Sequence, residues 1–192
     1  MSSTTAAATA IAQQVISRDR VAAQLPACVA EAAPLDSLIV FAVPDDASDT
    51  AAFSERFGFG LDDCANTIIV KFKKAGGEHY AALVSLGSRR LDVNGAVKAA
   101  LGAQRLSFAK REDATEKTGM AFGGITAYGL PAAWPVLVDA AVMTREQVVM
   151  GAGVREAKLL LDPQLLASLP NVTVLPLTLD EVAATPAVSP PL

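Results

Sequence analysis

The segment TGMAFGGITAYGLP, residues 118–131, holds four glycines: Gly119, Gly123, Gly124 and Gly129. Missing side chains leave backbone N–H groups open and let a ligand approach the main chain closely. Gly123, Gly124 and the neighbouring Ile125 are the densest part. No helix signal follows them, so the segment is neither a P-loop nor a dinucleotide fingerprint. A long glycine-rich loop between core elements reads as functional, with a purely structural loop as the alternative. A second pair, Gly151 and Gly153, follows an apolar run, but a lone GxG motif is a weak signal.

Other chemistries are excluded by composition. The 192 residues contain one histidine, His79, and two cysteines, Cys28 and Cys64, in no ligand-like spacing. A structural zinc site and a Ser/His/Asp triad are therefore unavailable, and no metal is expected. The net charge is −4, yet it is unevenly spread. Residues 71–117 carry ten basic and five acidic side chains, whereas residues 31–63 carry eight acidic ones against Arg56 alone. A basic face can engage a phosphate backbone despite a negative total, and Arg89, Arg90, Lys98, Lys110 and Arg111 are its candidate contacts. A solvated surface sorted by sign is the alternative.

Hydrophobic residues make up 52% of the chain, but the run 38–43 ends at Pro44, far short of the ~18–20 residues a bilayer span needs. Residues 1–10 lack a basic region ahead of an apolar stretch and do not read as a secretory signal. A cytoplasmic domain is the expectation.

Several elements must position the loop. Residues 11–25 place Ile11, Val15, Ala22 and Leu25 on one helical face, with Pro26 beyond the end. Residues 38–43 read as a strand. Asp49 suits the N-cap of a short helix carrying Phe53 and Phe57, closed by Gly58. Residues 66–74 alternate and return through 79–86 as a hairpin. Asp92 caps a helix that stops at Gly102. A strand at 106–108 and a helix at 112–118 follow. Core strands are expected at 134–140, 147–150, 157–161 and 172–175, with a helix starting at Asp162-Pro163. Residues 1–10 read as flexible, 11–178 as one domain, and 179–192, with Pro186, Pro190 and Pro191, as a disordered tail. Hairpins mixed with short helices in irregular order indicate an α+β domain.

This ordered set resembles the YbaK/prolyl-tRNA-synthetase-associated family of aminoacyl-tRNA editing domains. The resemblance spans about residues 49–177. It rests on NTIIV, HYAALVSLGSRRLDVNGAVKAALGAQRLSF, the TGMAFGGITAYGLP loop, WPVLVDA and VVMGAGVREAKLLLDPQLL, in that order. It implies a mixed α/β fold with a strongly curved, six- to seven-stranded, largely antiparallel sheet surrounded by helices. It also implies an aminoacyl-tRNA deacylase that hydrolyses the ester of a mischarged small amino acid. No cofactor is implied. The implied partner is tRNA, not DNA or a membrane, with an aminoacyl-tRNA synthetase as a further candidate.

The resemblance also suggests roles. The amides of Gly123, Gly124 and Ile125 would face the developing oxyanion, and the substrate's own 2′-OH would activate the water. Asn66, Thr126, Asp139, Gly151 and Gly153 would line the substrate pocket. The family's usual lysine matches Asn66, and its aspartate after the GxG turn matches Lys158. Either Lys158 supplies the ammonium from another strand, or it is a surface lysine in an altered site. Ala127 stands where relatives usually have proline. Two alternatives to a deacylase are an inactive module binding aminoacyl-tRNA or an amino-acid-like ligand, and a protein-interaction domain using the acidic half.

Overall fold

The structure is a computed structural model that describes residues 11–47 and 50–179. The expectations for residues 1–10, for Asp49 and for the tail from 180 lie outside the described residues. In chain order the elements are α1 (Arg18–Gln24), α2 (Ala27–Ala32), β1 (Ile39–Ala42), α3 (Thr50–Phe57), β2 (Cys64–Lys74) and β3 (Gly77–Leu86). Then come α4 (Lys98–Leu101), β4 (Arg105–Phe108), α5 (Arg111–Thr118), β5 (Val136–Asp139), β6 (Val148–Gly151), β7 (Ala157–Leu161), α6 (Gln164–Ala167) and β8 (Val172–Leu175).

The hairpin is the spine. β2 and β3 pair from Ala65↔Leu86 to Lys74↔Gly77. Val70 and Phe72 are buried with Ala81 and Leu83 on one face, over Val97 and Leu101. Ile69 and Val84 point to the opposite core. Both faces of the hairpin are thus covered, which suits its β-branched and aromatic content.

All eight strands join one sheet in the order β1-β7-β6-β2-β3-β5-β8, with β4 added beside β2. Mixed α/β architecture matches the expectation, but the strand count is eight rather than six or seven. The difference is β4, a short, largely exposed strand that uses backbone groups left open on the outer half of β2. Pairing is largely antiparallel, as expected, because the antiparallel ladders include the long hairpin and the parallel ones are short. Four ladders are antiparallel and three parallel. Only β2–β3 is closed by a tight hairpin, so the other strands are free to enter in either direction.

One expected helix breaks. Residues 11 and 12 are helical, but Val15 bridges to Phe41. The Ile16 N–H donates to the Val40 carbonyl and the Ala42 N–H to the Gln14 carbonyl, both at 2.8 Å. The edge of β1 needs partners, and the β-branched pair Val15-Ile16 supplies them in place of a helical turn. Helix resumes only at Arg18.

At the other end, the Leu179 N–H donates to the Arg90 carbonyl at 2.9 Å, and Leu91 bridges to Thr178. Leu179, expected at the start of a loose tail, is therefore tied to the basic segment. Strand 134–140 is shorter than expected: Trp134 lies before β5 and stacks on Tyr80 at 5.2 Å.

Asp92 caps its helix as expected, its carboxylate accepting from the Gly95 and Ala96 N–H groups at 3.0 and 2.9 Å. The first turn is a π-turn, which continues into α4. His79, at the start of the returning strand, is half-buried with its ring 5.5 Å from Phe72.

Candidate functional site

One long edge of β2 is shared by two strands. β6 runs parallel to its start through Cys64↔Val149 and Ala65↔Met150, and β4 pairs with its outer half from Val70 to Lys73. The first ladder ends at Ala65 and the second begins at Val70, which leaves a gap between them along that edge. The gap opens into a cavity of about 520 Å³ whose walls include Cys64 to Ile69 of β2, Phe108 and Ala109 after β4, Gly123 and Ile125 of the glycine loop, Gly151, and Lys158.

Three strands set the back wall. Lys158 of β7 pairs with Gly151 of β6, and one step beyond Ala65↔Met150 the register sets Asn66 beside Gly151. Lys158 and Asn66 therefore flank Gly151 on one face of the sheet, and the glycine's missing side chain lets the glycine loop seat between them. Lys158 is only 8% exposed, which overturns the surface-lysine alternative. Its ammonium lies 5.2 Å from the centre of the Phe53 ring. That ring belongs to a cluster of Phe41, Phe53 and Phe57 above Cys64 and Val149. Burial among aromatics holds the lysine stem while the ring faces attract its charge. Sequence reasoning missed Phe53 as a wall residue, because its helical i, i+4 spacing with Phe57 signals core equally well.

The roof is the glycine loop, and close approach explains its composition. A Cβ on Gly151 would lie 2.4 Å from the Gly124 carbonyl oxygen and 2.6 Å from that of Ile125. A Cβ on Gly124 would lie 2.3 Å from the Val154 carbonyl oxygen. The loop is clasped from both sides, with Gly153 N–H donating to the Gly124 carbonyl at 2.7 Å and Ala121 N–H to the Gly153 carbonyl at 2.9 Å. These contacts correct two expectations. The Gly124 N–H already donates to the Ala121 carbonyl at 3.0 Å, so it is not a donor for a ligand. Gly153 is buried against Pro26 and Val29 and docks the loop rather than lining the pocket. Gly123, exposed at φ +87°, and Ile125 remain on the cavity wall.

Two further candidates lie elsewhere. Thr126 is fully buried and its N–H approaches the Met120 sulfur at 3.5 Å, so it is a core residue of the loop. Asp139 is 1% exposed, and its carboxylate accepts from the Leu177 N–H at 2.7 Å and the Thr178 hydroxyl at 3.2 Å. It fastens the C-terminal segment to β5, because a buried carboxylate is retained only when bonded. In its place the wall offers Thr67, whose Oγ1 is buried without a hydrogen-bond partner among the described residues. No spacing rule marks that threonine in advance.

Cys64 is also on the wall. Burial pushes its thiol above the ordinary value, and this outweighs the hydrogen bond with Ser54 and the nearby Lys158 charge, which pull it down. A protonated, buried thiol is a poor nucleophile. Among the described residues, no cluster of His, Cys, Asp or Glu could hold a metal, and no helix is long and apolar enough to cross a membrane.

The basic candidates fall on different surfaces. Arg89 and Arg90 line a second groove that shares Asn66, Ile68 and Phe108 with the main cavity. Arg111 sits at the cavity mouth with its guanidinium 4.7 Å from the centre of the Phe122 ring. Lys110 precedes α5 and is exposed. Lys98 lines a separate groove beside Lys71 and Arg105, so the expected set does not form one patch.

The profile of the aminoacyl-tRNA editing domain matches residues 44–169. Among solved structures, a candidate trans-editing enzyme for prolyl-tRNA synthetase superposes with a TM-score of 0.65 at 22% identity, covering 74% of this chain and 87% of that one. The hypothetical protein APE2540 superposes with a TM-score of 0.66 at 23% identity, covering 74% and 91%. At these identities the structural likeness establishes the fold. No curated protein matches the sequence.

Proposed function

Because the chain belongs to the aminoacyl-tRNA editing domain family, we propose that it is a trans-acting deacylase that hydrolyses the ester between a mischarged small amino acid and the terminal ribose of tRNA. The observation that carries this reading is one cavity lined by Lys158 and Asn66 together with Gly123 and Ile125 of the glycine loop. A volume of about 520 Å³ suits an aminoacylated ribose, within the ~300–1,000 Å³ of small-ligand sites. The need for such an activity is physical. An apolar synthetase pocket separates amino acids differing by one methylene only ~10–200-fold, so accuracy requires a second hydrolytic site.

In this reading the ester carbonyl points at the roof, where the N–H groups of Gly123 and Ile125 stabilise the oxyanion as water adds. The C–O bond to the ribose then breaks, and the vicinal 2′-OH relays the water's proton to the departing 3′-oxygen. Lys158 supplies positive charge beside the developing anion, and Asn66 and Thr67 contribute neutral hydrogen bonds. Cys64 stays protonated, so no acyl-enzyme is invoked. Arg89 and Arg90 take the phosphates next to the 3′ end, and Lys110 and Arg111 guide the strand to the mouth. Residues 11–178 act as one cytoplasmic editing unit, and a synthetase is a candidate partner.

A second reading is favoured by one residue. Asn66 is neutral where related sequences carry a lysine, which fits a module that binds aminoacyl-tRNA without cleaving it. Incubation with a panel of mischarged tRNAs decides between the two. Release of free amino acid from one of them supports the deacylase, and saturable binding with no release replaces it with the binding module.

A further inference from the structure

We propose that Phe108 and Phe122 form a stacking clamp for the 3′-terminal nucleobase of the substrate, a role that rests on the deacylase reading and identifies how the substrate's last nucleoside is held.

Large apolar side chains at a protein surface call for an explanation when they gather at a cavity. Phe108 is 57% exposed and Phe122 46% exposed, and both line the mouth of the main cavity. They come from different elements, the end of β4 and the glycine loop. Neither belongs to any of the hydrophobic clusters, so folding alone does not account for them.

Their surroundings select a nucleobase over an aliphatic ligand. Phe108 lines both the main cavity and the adjoining groove that holds Arg89 and Arg90. A terminal nucleotide needs the same neighbours: a site for the acylated ribose, positive charge for its phosphate and an aromatic surface for its planar base. With the ester by Lys158 and Asn66 and the phosphate by Arg89 and Arg90, Phe108 is the exposed ring common to both spaces and is available to the base. Phe122, nearly half exposed, has the Arg111 guanidinium 4.7 Å from its ring centre, so a base stacking on it would meet a ring already polarised by a cation. A guanidinium–aromatic–base stack combines cation–π attraction with base stacking. Single-stranded ends, whose bases are free to splay out, are recognised in this way.

The test uses the full chain and three substrates carrying one amino acid: aminoacyl-tRNA, 3′-aminoacyl-adenosine, and a base-free aminoacyl ester of a simple diol. Both rings are exposed, so truncation leaves the core intact, and a melting curve checks this. Phe108→Ala and Phe122→Ala are each expected to raise KM roughly tenfold for the two base-containing substrates while leaving kcat within a few fold. The base-free ester is expected to be unaffected, and Phe108→Trp to restore the wild-type KM. Equal losses on the base-free ester would overturn the clamp and make the rings part of the ester pocket. Unchanged KM in both alanine variants would also overturn it. If the wild type cleaves none of the three, the deacylase reading fails on its own. The clamp is then read from binding of a non-hydrolysable 3′-aminoacylamido-adenosine: weaker binding by the alanine variants supports it, and equal binding overturns it.

Discussion

Lys158 and Asn66 face one cavity from strands that never pair with each other. β6 runs between them, and its Gly151 occupies the point where any side chain would strike the Gly124 and Ile125 carbonyls of the glycine loop. An ammonium and an amide thus share a site that single-strand reasoning assigns to separate places.

If Lys158 supplies the positive charge of the site, Lys158→Ala should lower turnover by ~10²-fold, the scale of losing one transition-state donor. Asn66→Lys in the Lys158→Ala background should recover part of that loss. Asn66→Lys alone should gain little, because two ammonium groups in one cavity disfavour each other's charged form. Full activity in Lys158→Ala would leave catalysis to the loop amides and the substrate hydroxyl.

Gly151→Ala should displace the loop. Its Cβ would meet two loop carbonyls at 2.4 and 2.6 Å, and overpacking of this kind costs about 1–3 kcal/mol. Both the melting temperature and turnover should fall, with wider hydrogen exchange at residues 121–125. Gly124→Val is a poor probe of donor function, since Val154 backbone blocks its side chain. A Gly151→Ala protein with wild-type stability would mean that the loop accommodates the methyl.

Binding of tRNA should weaken steeply with salt, in proportion to the phosphate contacts made. Arg89→Glu with Arg90→Glu should flatten the log–log slope, because both side chains line the groove that joins the cavity. Lys98→Glu should change it less, since Lys98 lines a different groove. An identical slope in the arginine variant would move the tRNA to another face.

Alkali should unfold the protein through its buried phenol. Desolvation holds the Tyr128 pKa well above its ordinary value of 10.0. The stability linked to Tyr128 is fully present below pH 10.0 and is lost as pH rises above it, where the unfolded phenol ionises and the folded one does not. Cys64, also raised by burial from 9.0, acts in the same direction from about that pH. Tyr128→Phe should shift the alkaline midpoint upward in a circular-dichroism titration. An unmoved midpoint would assign alkaline unfolding to other groups.

The same burial makes Cys64 unreactive. At pH 7–8 alkylation should modify the more accessible Cys28 first, and Cys64→Ala should keep turnover within a few fold. Rapid labelling of Cys64 together with a dead Cys64→Ala variant would reinstate a thiol nucleophile.

Much of the architecture was legible from local signals. The hairpin, the Asp92 cap, the strands 157–161 and 172–175 and the irregular glycine loop all follow from alternation, caps and turn residues. Pairing between distant segments was not. Val15 and Ile16 fit a helix by spacing, yet the unfilled edge of β1 claims them. Asp139 and Thr126 had the right residue types for a pocket, but the hydrogen bonds of Asp139 and the burial of Thr126 away from the cavity wall assign them to the scaffold. Lys158 was singled out by comparison with a family pattern, whereas its orientation depends on the register of β6 and β7, which no local sequence feature encodes. Phe108 and Phe122 carried no signal, because an exposed aromatic looks the same as a buried one until the sheet is assembled.

The ladder that joins β2 to β6 is two residue pairs long, the narrowest in the sheet. On one side lie β1, β7 and β6, and on the other β2, β3, β5, β8 and the attached β4. The cavity begins where this ladder stops. Lys158 belongs to one set of strands and Asn66 to the other, so a ligand touching both would bridge the narrowest pairing in the sheet and add a cross-link where the backbone supplies fewest.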